Sequence, residues 1–96
     1  MKKGYIVCVY EDIKDDTNLK KYAVKAKGAV EKYNGKFLIR GGKKINTEGR
    51  DFLRTVVIEF SAFDIAKKFF YSPDYQAAHK LLDDTVIRNH QIIEGT

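Results

Sequence analysis

Apolar residues occur along the first third of the chain in two patterns, a continuous run and a helical repeat. Residues 5–10 are six consecutive apolar side chains, rich in β-branched and aromatic types, and predict a strand covered on both faces. Asp15 and Asp16 then suit a helix N-cap, and apolar residues recur every three or four positions as far as Tyr33. Asn34-Gly35 ends this amphipathic helix, because both residue types tolerate the left-handed backbone of a C-terminal cap.

The middle of the chain predicts two strands joined by a polar loop. Residues 36–40 form the first of them, and Gly41-Gly42 follows it. Residues 52–60 form the second, which is expected to be the longest strand in the chain. Its side chains divide between two faces, and both faces are apolar.

The last third predicts a broken helix and a final strand. The segment from Ser61 to Asp64 has a capping-box pattern and opens a short helix. Ser72-Pro73 starts a second helical piece, since serine is a good N-cap and proline a good first helical residue. Asp83-Asp84 ends that piece, and residues 86–94 are the last predicted strand.

The order β-α-β-β-α-β predicts an α+β, ferredoxin-like fold over a single domain, residues 1–96. Right-handed crossovers place both helices on one face of a four-stranded antiparallel sheet. The first and third strands are nevertheless apolar on both sides, so something must cover the open face. A second copy of the sheet, packed face to face, is the simplest cover, and a homodimer is therefore predicted.

Composition excludes several classes of protein. The 96 residues contain no apolar run of membrane-spanning length, and the short run after Lys2-Lys3 lacks a cleavage site, so neither membrane insertion nor secretion is expected. Cys8 is the single cysteine and is predicted to be a small buried apolar residue. One cysteine and two histidines without ligand spacing predict no metal site. A cytoplasmic location is the resulting expectation.

The net charge of +5 is concentrated in the first half, where twelve Lys and Arg face six Asp and Glu in residues 1–48. A solvated basic helix face explains this pattern, and so does an anionic ligand or a nucleic acid. The segment 54–60 is superficially similar to an RNA-binding strand. Its middle positions hold Val56 and Ile58, which cannot stack on bases, so this pattern argues against nucleic acid as a partner.

Six segments together match the pattern of one known family: Gly4-Tyr5, Tyr33 to Gly42, Glu48-Gly49, Val57 to Phe60, Ser72 to Gln76 and Glu94-Gly95. Through these segments the chain resembles DUF1330, within the dimeric α/β-barrel superfamily of ferredoxin-like folds. Asn34 replaces the first glycine of a common pair, and Leu82 stands where members often carry an arginine. The resemblance implies a homodimer with a pocket between sheet and helices. The family's activity is undefined, and its wider relatives include cofactor-free oxygenases, lactone isomerases and haem-handling enzymes, so no reaction is transferred.

Two charged residues interrupt apolar strands and are candidates for a site. Arg40 precedes two glycines and could hold a carboxylate or phosphate with both arms of its guanidinium. A structural ion pair with Glu59 or Glu48 explains it equally well. Glu59 is a partly desolvated carboxylate, which suits a general base, or else the partner of Arg40 or Arg54.

The remaining candidates lie on helices and in the loop. Tyr75 is expected to point toward the sheet, as a ligand-binding phenol or as packing, and His79 lies one turn further along. Tyr22 belongs to the apolar stripe of the first helix and is a core residue or a ligand contact. Glu48 is a candidate contact to a ligand or to the partner subunit, and His90 is expected at an exposed edge.

No nucleophile elbow, phosphate-binding loop or zinc-protease motif is present in the sequence. The sequence therefore predicts a homodimer with a pocket for an unknown small molecule. The enzyme considered is one that works without a cofactor, so no cofactor is predicted. Glu59 and His79 are its candidate catalytic residues. The alternatives are a non-catalytic assembly or binding subunit and, less favoured, an RNA-binding module.

Overall fold

The computed structural model describes residues 2–96 and confirms the predicted order of elements, with the second helix in two pieces. The four strands form one antiparallel sheet in the order β2-β3-β1-β4, with the helices on one face, which is the predicted ferredoxin-like arrangement. The elements are β1 (Gly4–Ile13), α1 (Asp16–Lys32), β2 (Lys36–Arg40), β3 (Arg54–Phe60), α2 (Phe63–Tyr71), α3 (Pro73–Lys80) and β4 (Val86–Glu94).

Strand lengths differ from the sequence prediction. β1 is the longest strand with ten residues, whereas β3 has seven, so the prediction for residues 52–60 was wrong. β1 continues past its apolar run because, beyond a bulge after Tyr10, Asp12 and Ile13 still pair with Ile87 and Val86 of β4. The end of β1 is therefore set by its pairing with β4, and the apolar pattern within β1 does not show that pairing.

The caps of α1 are those that the sequence predicts. The Asp15 carboxylate accepts hydrogen bonds from the backbone N–H groups of Thr17 (2.8 Å) and Asn18 (3.1 Å). Asn34, just beyond the last helical turn, has a φ of 57°, in the left-handed region that asparagine tolerates. Within residues 2–96, no helix combines the length and the apolar character that a membrane span requires.

The broken second helix is confirmed at Ser72, but its predicted start is not. The N-cap of α2 is Ala62, which has no side chain to cap the helix, so the capping box at Ser61 was wrong. Ser72 ends α2 and starts α3: its Oγ donates to the carbonyl of Phe69 (2.7 Å) and accepts from the N–H of Tyr75 (3.1 Å). This one buried hydroxyl therefore satisfies groups on both helices.

The two faces of the sheet have different neighbours. Side chains at even positions of β1, from Ile6 to Tyr10, are buried beneath the helices, and odd positions such as Val7 lie on the open face. In β3, Val56 and Ile58 are on the helix side. They are therefore not the exposed positions at which the sequence comparison with RNA-binding strands placed them.

The helices do not cover the sheet evenly. α2 packs on β1, β3 and β4, whereas α1 packs chiefly against α3. The densest part of the core lies under α2, where the ring of Phe69 is 5.0 Å from that of Phe60 and 4.9 Å from that of Tyr75. Space therefore remains between α1 and the part of the sheet that α2 does not reach.

The start of α2 lies directly on β1 at Gly4, and this contact yields a stability prediction. A Cβ at Gly4 would lie 2.5 Å from the carbonyl oxygen of Ala62 and 2.6 Å from the Cα of Phe63, both backbone atoms. We expect Gly4→Ala to lower the free energy of unfolding by about 1–3 kcal/mol, because the helix must shift away from the strand. Urea unfolding followed by circular dichroism measures the change.

Gly28 is the matched control for the same substitution. It lies in α1 with nothing within 4 Å of its hypothetical Cβ. Gly28→Ala should raise the free energy of unfolding by about 0.5–1 kcal/mol, since alanine favours the helix. Equal effects at the two positions would contradict the steric explanation for Gly4.

Candidate functional site

A cavity of about 280 Å³ lies between α1 and the helix-side face of the sheet. Its walls are mainly apolar, and its rim includes the exposed residues Asp16, Lys20 and Arg40 together with Arg54. Concave sites with apolar walls and a few convergent polar groups are the usual form of small-molecule pockets. The apolar walls are formed by Ile6, Leu19, Ala23, Ala26, Val30, Phe37, Val56, Ile58 and Phe69.

The polar groups of the cavity converge on Arg88 of β4. Arg88 is the direct cross-strand partner of Tyr10 in β1, so both side chains project to the helix side. Its Nη1 donates to Tyr10 Oη (3.2 Å) and to Tyr22 Oη (3.3 Å), and its Nη2 donates to Tyr75 Oη (3.0 Å). One guanidinium thus joins β4, β1, α1 and α3.

The two helical tyrosines also contact each other. Tyr22 Oη and Tyr75 Oη are 2.9 Å apart, and the rings meet edge to face with centroids 6.0 Å apart. Because α1 packs little against the sheet, this pair and its bonds to Arg88 form the polar link between the helix and the strands. We call Arg88 with Tyr10, Tyr22 and Tyr75 the Arg88 cluster.

The Arg88 cluster carries one positive charge at neutral pH. Burial raises the pKa of Tyr10 to about 12, and burial together with Tyr22 raises the pKa of Tyr75 further, so both phenols stay protonated. Burial alone would lower the pKa of Arg88, but Tyr22, Tyr75 and Cys8 outweigh it and the pKa is raised. The charged guanidinium therefore lies against the neutral phenols of Tyr10 and Tyr75.

His90 lies next to the cluster on the same face of β4. It is the cross-strand partner of Cys8, and its ring packs against Phe70 (centroids 5.2 Å apart) and Tyr75 (6.1 Å). Burial, and then the charges of Arg88 and His79, lower the pKa of His90 to about 3. The imidazole is therefore neutral and part of the cavity wall, not the exposed edge residue that the sequence predicted.

Three of the predicted site residues line the cavity. Tyr22 and Tyr75 are buried members of the Arg88 cluster, with Tyr75 only 1% exposed. Arg40 lies at the rim, with its guanidinium carbon 4.5 Å from the centre of the Phe37 ring. The structure thus brings these three around one space, although they come from α1, α3 and β2.

The other three predicted site residues lie elsewhere. Glu59 is on the open face of the sheet, where its carboxylate accepts from Lys3 Nζ (3.2 Å) and Tyr5 Oη (3.3 Å), not from Arg40 or Arg54. Glu48 is exposed in the loop between β2 and β3. His79 is exposed at the end of α3, with its ring centre 6.2 Å from that of Tyr75 and its pKa lowered mainly by burial.

Sequence reasoning did not select Arg88 or Tyr10. The available signal was the alternation of Arg88, His90 and Ile92 along the last strand, but Ile87 and Ile93 at odd positions are apolar as well. The pattern alone therefore does not decide which set faces the helices. The register with β1 decides it, because Cys8 and Tyr10 on the buried side pair with His90 and Arg88.

The site offers hydrogen-bond donors and one fixed positive charge. Such a set can bind an anionic group or polarise a carbonyl oxygen of a bound molecule. Among residues 2–96, no group of three or more His, Cys, Asp or Glu side chains is arranged to hold a metal ion.

The chain belongs to the family described as a domain of unknown function, DUF1330, whose model matches residues 3–96. This confirms the resemblance seen in the sequence. No curated protein matches the chain.

Solved structures share the fold at low sequence identity. A protein of unknown function from Rhodopseudomonas palustris has a TM-score of 0.79 at 11% identity, covering 98% of this chain and 82% of that one. An EthD family protein from Bacillus halodurans has a TM-score of 0.61 at 12% identity, with 98% and 99% covered. A dimeric ferredoxin-like protein of unknown function from Thermobifida fusca has a TM-score of 0.53 at 14% identity, with 96% and 90% covered.

The neutral state of His90 predicts how stability depends on pH. Its pKa in the folded chain, about 3, lies below the ordinary value of about 6.5 expected for the unfolded chain. The unfolded chain therefore binds the proton first, and stability falls as pH drops below about 6.5. His90→Phe keeps an aromatic ring against Phe70. Between pH 6 and pH 5 its free energy of unfolding should fall by about 1 kcal/mol less than that of the natural protein.

Thermal and urea unfolding at half-unit pH steps measure this slope. The control is His79→Gln, whose exposed position predicts a smaller effect on the slope. An unchanged slope in His90→Phe would contradict the burial of a neutral imidazole.

Proposed function

We propose that this protein is a homodimer, formed through the open face of its sheet, that binds a small molecule in the cavity beneath α1. The observation that carries the second part is the partly buried guanidinium of Arg88, which lines a mainly apolar cavity. Among residues 2–96 no carboxylate lies within ion-pair distance of it. A charge in such a position lowers the stability of the folded chain unless an oppositely charged partner lies beside it.

The apolar residues of the open face support the homodimer. Val7 and Val57 are direct neighbours in its centre, and Ile39, Ile87 and Ile93 around them are 45%, 45% and 47% exposed. An apolar surface of this extent is unusual on a soluble monomer. A second sheet packed at about 10 Å would cover it, with the same residues contributed by both copies.

The Thermobifida fusca protein with the same fold is described as dimeric, which also supports this arrangement. Candidate contacts across the dimer include the ion pair of Glu59 with Lys3, which lies on the face that the second copy would cover. Glu59 is thereby assigned to the interface and not to the cavity. His79 and Glu48 are likewise outside the proposed binding site.

The oligomeric state tests the first part of the proposal. We expect the natural protein to sediment as a dimer at micromolar concentration. Val57→Arg should give a folded monomer, because it places a charge in the centre of the apolar face. Val24→Arg, at a position on α1 that is 77% exposed, is the control and should stay dimeric. A natural protein that is monomeric throughout would overturn the proposed dimer.

Native mass spectrometry of the protein purified from its own host tests the second part. We expect a dimer with additional mass from a retained small molecule. Ala26→Phe, which fills the cavity from α1, should remove that mass, because Ala26 is buried in the cavity wall. Val24→Phe, on the exposed side of the same helix, should retain it. Retention of the mass by both variants would contradict binding in the cavity.

A further inference from the structure

The charge of Arg88 has no counter-ion within the described chain, residues 2–96. All its hydrogen-bond partners are phenolic oxygens, apart from a 3.7 Å approach to the thiol of Cys8. Glu59 and Asp74 pair instead with Lys3 and Lys32. Asp83 and Asp84 line a second cavity beside Arg88, and neither forms an ion pair with it. The cluster is therefore a positive site in a largely apolar setting.

The phenols cannot supply the missing negative charge, because burial keeps the pKa of Tyr10 and Tyr75 above the physiological range. They can supply donors. One hydroxyl of Tyr22 and Tyr75 donates to the other, and Tyr10 forms a side-chain hydrogen bond with the thiol of Cys8. The second phenolic proton of the Tyr22–Tyr75 pair thus remains for an acceptor that lies in the cavity.

The charge and shape of the site define the acceptor. A single guanidinium balances one negative charge, and a planar carboxylate matches the fork of its N–H groups. The remainder of the cavity is apolar, with Val30 on α1 facing Ile6 and Ile58 on the sheet. One water molecule takes about 30 Å³ in the liquid, so a cavity of about 280 Å³ has room for a molecule of about ten non-hydrogen atoms.

Rim charges favour the same ligand. Lys20, Arg40 and Arg54 outnumber Asp16 around the opening. An excess of positive charge at the mouth of a cleft raises the local concentration of anions and their rate of entry.

We infer that the molecule bound in the cavity is a small apolar monocarboxylate, with its carboxylate at the Arg88 cluster and its hydrocarbon body between α1 and the sheet. This inference rests on the proposed binding function and adds the ligand class to it. The uncharged amide of the same acid has the same shape but cannot pair with the guanidinium. Comparing an acid with its amide therefore isolates the charge from the apolar contacts.

The test is isothermal titration calorimetry at pH 7.5 with three matched pairs: benzoate and benzamide, trans-cinnamate and cinnamamide, octanoate and octanamide. We expect the best-binding acid to bind the natural protein about tenfold or more tightly than its amide. This comparison needs no variant, so it does not depend on the folding of an altered cluster.

Variants locate the charge that gives the preference. Arg88→Gln keeps hydrogen bonding to the phenols and should abolish the preference for the acid. Arg88→Lys keeps the charge without the planar fork and should retain part of it. Arg50→Gln, in an exposed ion pair with Glu11, is the control and should bind as the natural protein does. Loss of the preference in Arg54→Gln, with full retention in Arg88→Gln, would place the anion at the rim and overturn the inference.

Two further outcomes separate this inference from the proposed function. If acid and amide bind equally well, the cavity binds small molecules and the inferred carboxylate is wrong. If none of the six compounds binds and the natural protein retains no molecule from its host, the binding function itself is contradicted.

Discussion

The guanidinium of Arg88 joins the sheet to α1 and α3, two helices whose backbones otherwise have little contact with the strands. It bonds to phenols from β1, α1 and α3 while itself standing on β4. α1 packs mainly on α3, so the sheet and the first helix are joined at this end by polar bonds and not by close apolar packing. The cavity exists because of that separation: a helix packed directly on the sheet would leave no space for a ligand.

Without a ligand, this arrangement lowers the stability of the folded chain. A partly buried charge among neutral hydrogen-bonding groups loses part of its hydration without gaining an ion pair. The hydrogen bonds that Arg88 donates to Tyr10, Tyr22 and Tyr75 offset part of that loss, since hydrogen bonds made by charged groups are stronger than neutral ones. Stability and binding are thus linked through the same residues, and an anionic ligand would stabilise the folded chain by mass action.

The parts of the structure that the sequence predicted depend on residues close together in the chain. The parts that it missed depend on contacts between distant segments. The bounds of α1, β2 and β4 follow from caps and apolar patterns within each segment, and the sequence predicted them well. The start of α2 at Phe63 and the extension of β1 to Ile13 depend on contacts with distant segments, and the sequence missed both. Local patterns cannot show a contact whose partner lies fifty or more residues away.

The same difference between local patterns and distant contacts explains which residues of the candidate site the sequence identified. Tyr22 and Tyr75 were selected because they lie on apolar helix faces, and they proved to line the cavity. Glu59 was selected as a charge in an apolar strand, but it lies on the open face, because odd positions of β3 point away from the helices. Arg88 was not selected, because the pattern along β4 does not show which face of the sheet its side chain occupies.

Alternation along the strands gives the sheet two separate roles. Even positions of β1 and β4, such as Tyr10 and Arg88, face the cavity, whereas odd positions such as Val7 and Ile93 face the open side. Because neighbouring residues point in opposite directions, a substitution on one face leaves the side chains of the other in place. The proposed dimer and the proposed ligand binding can therefore be disrupted independently, although the same two strands would carry both.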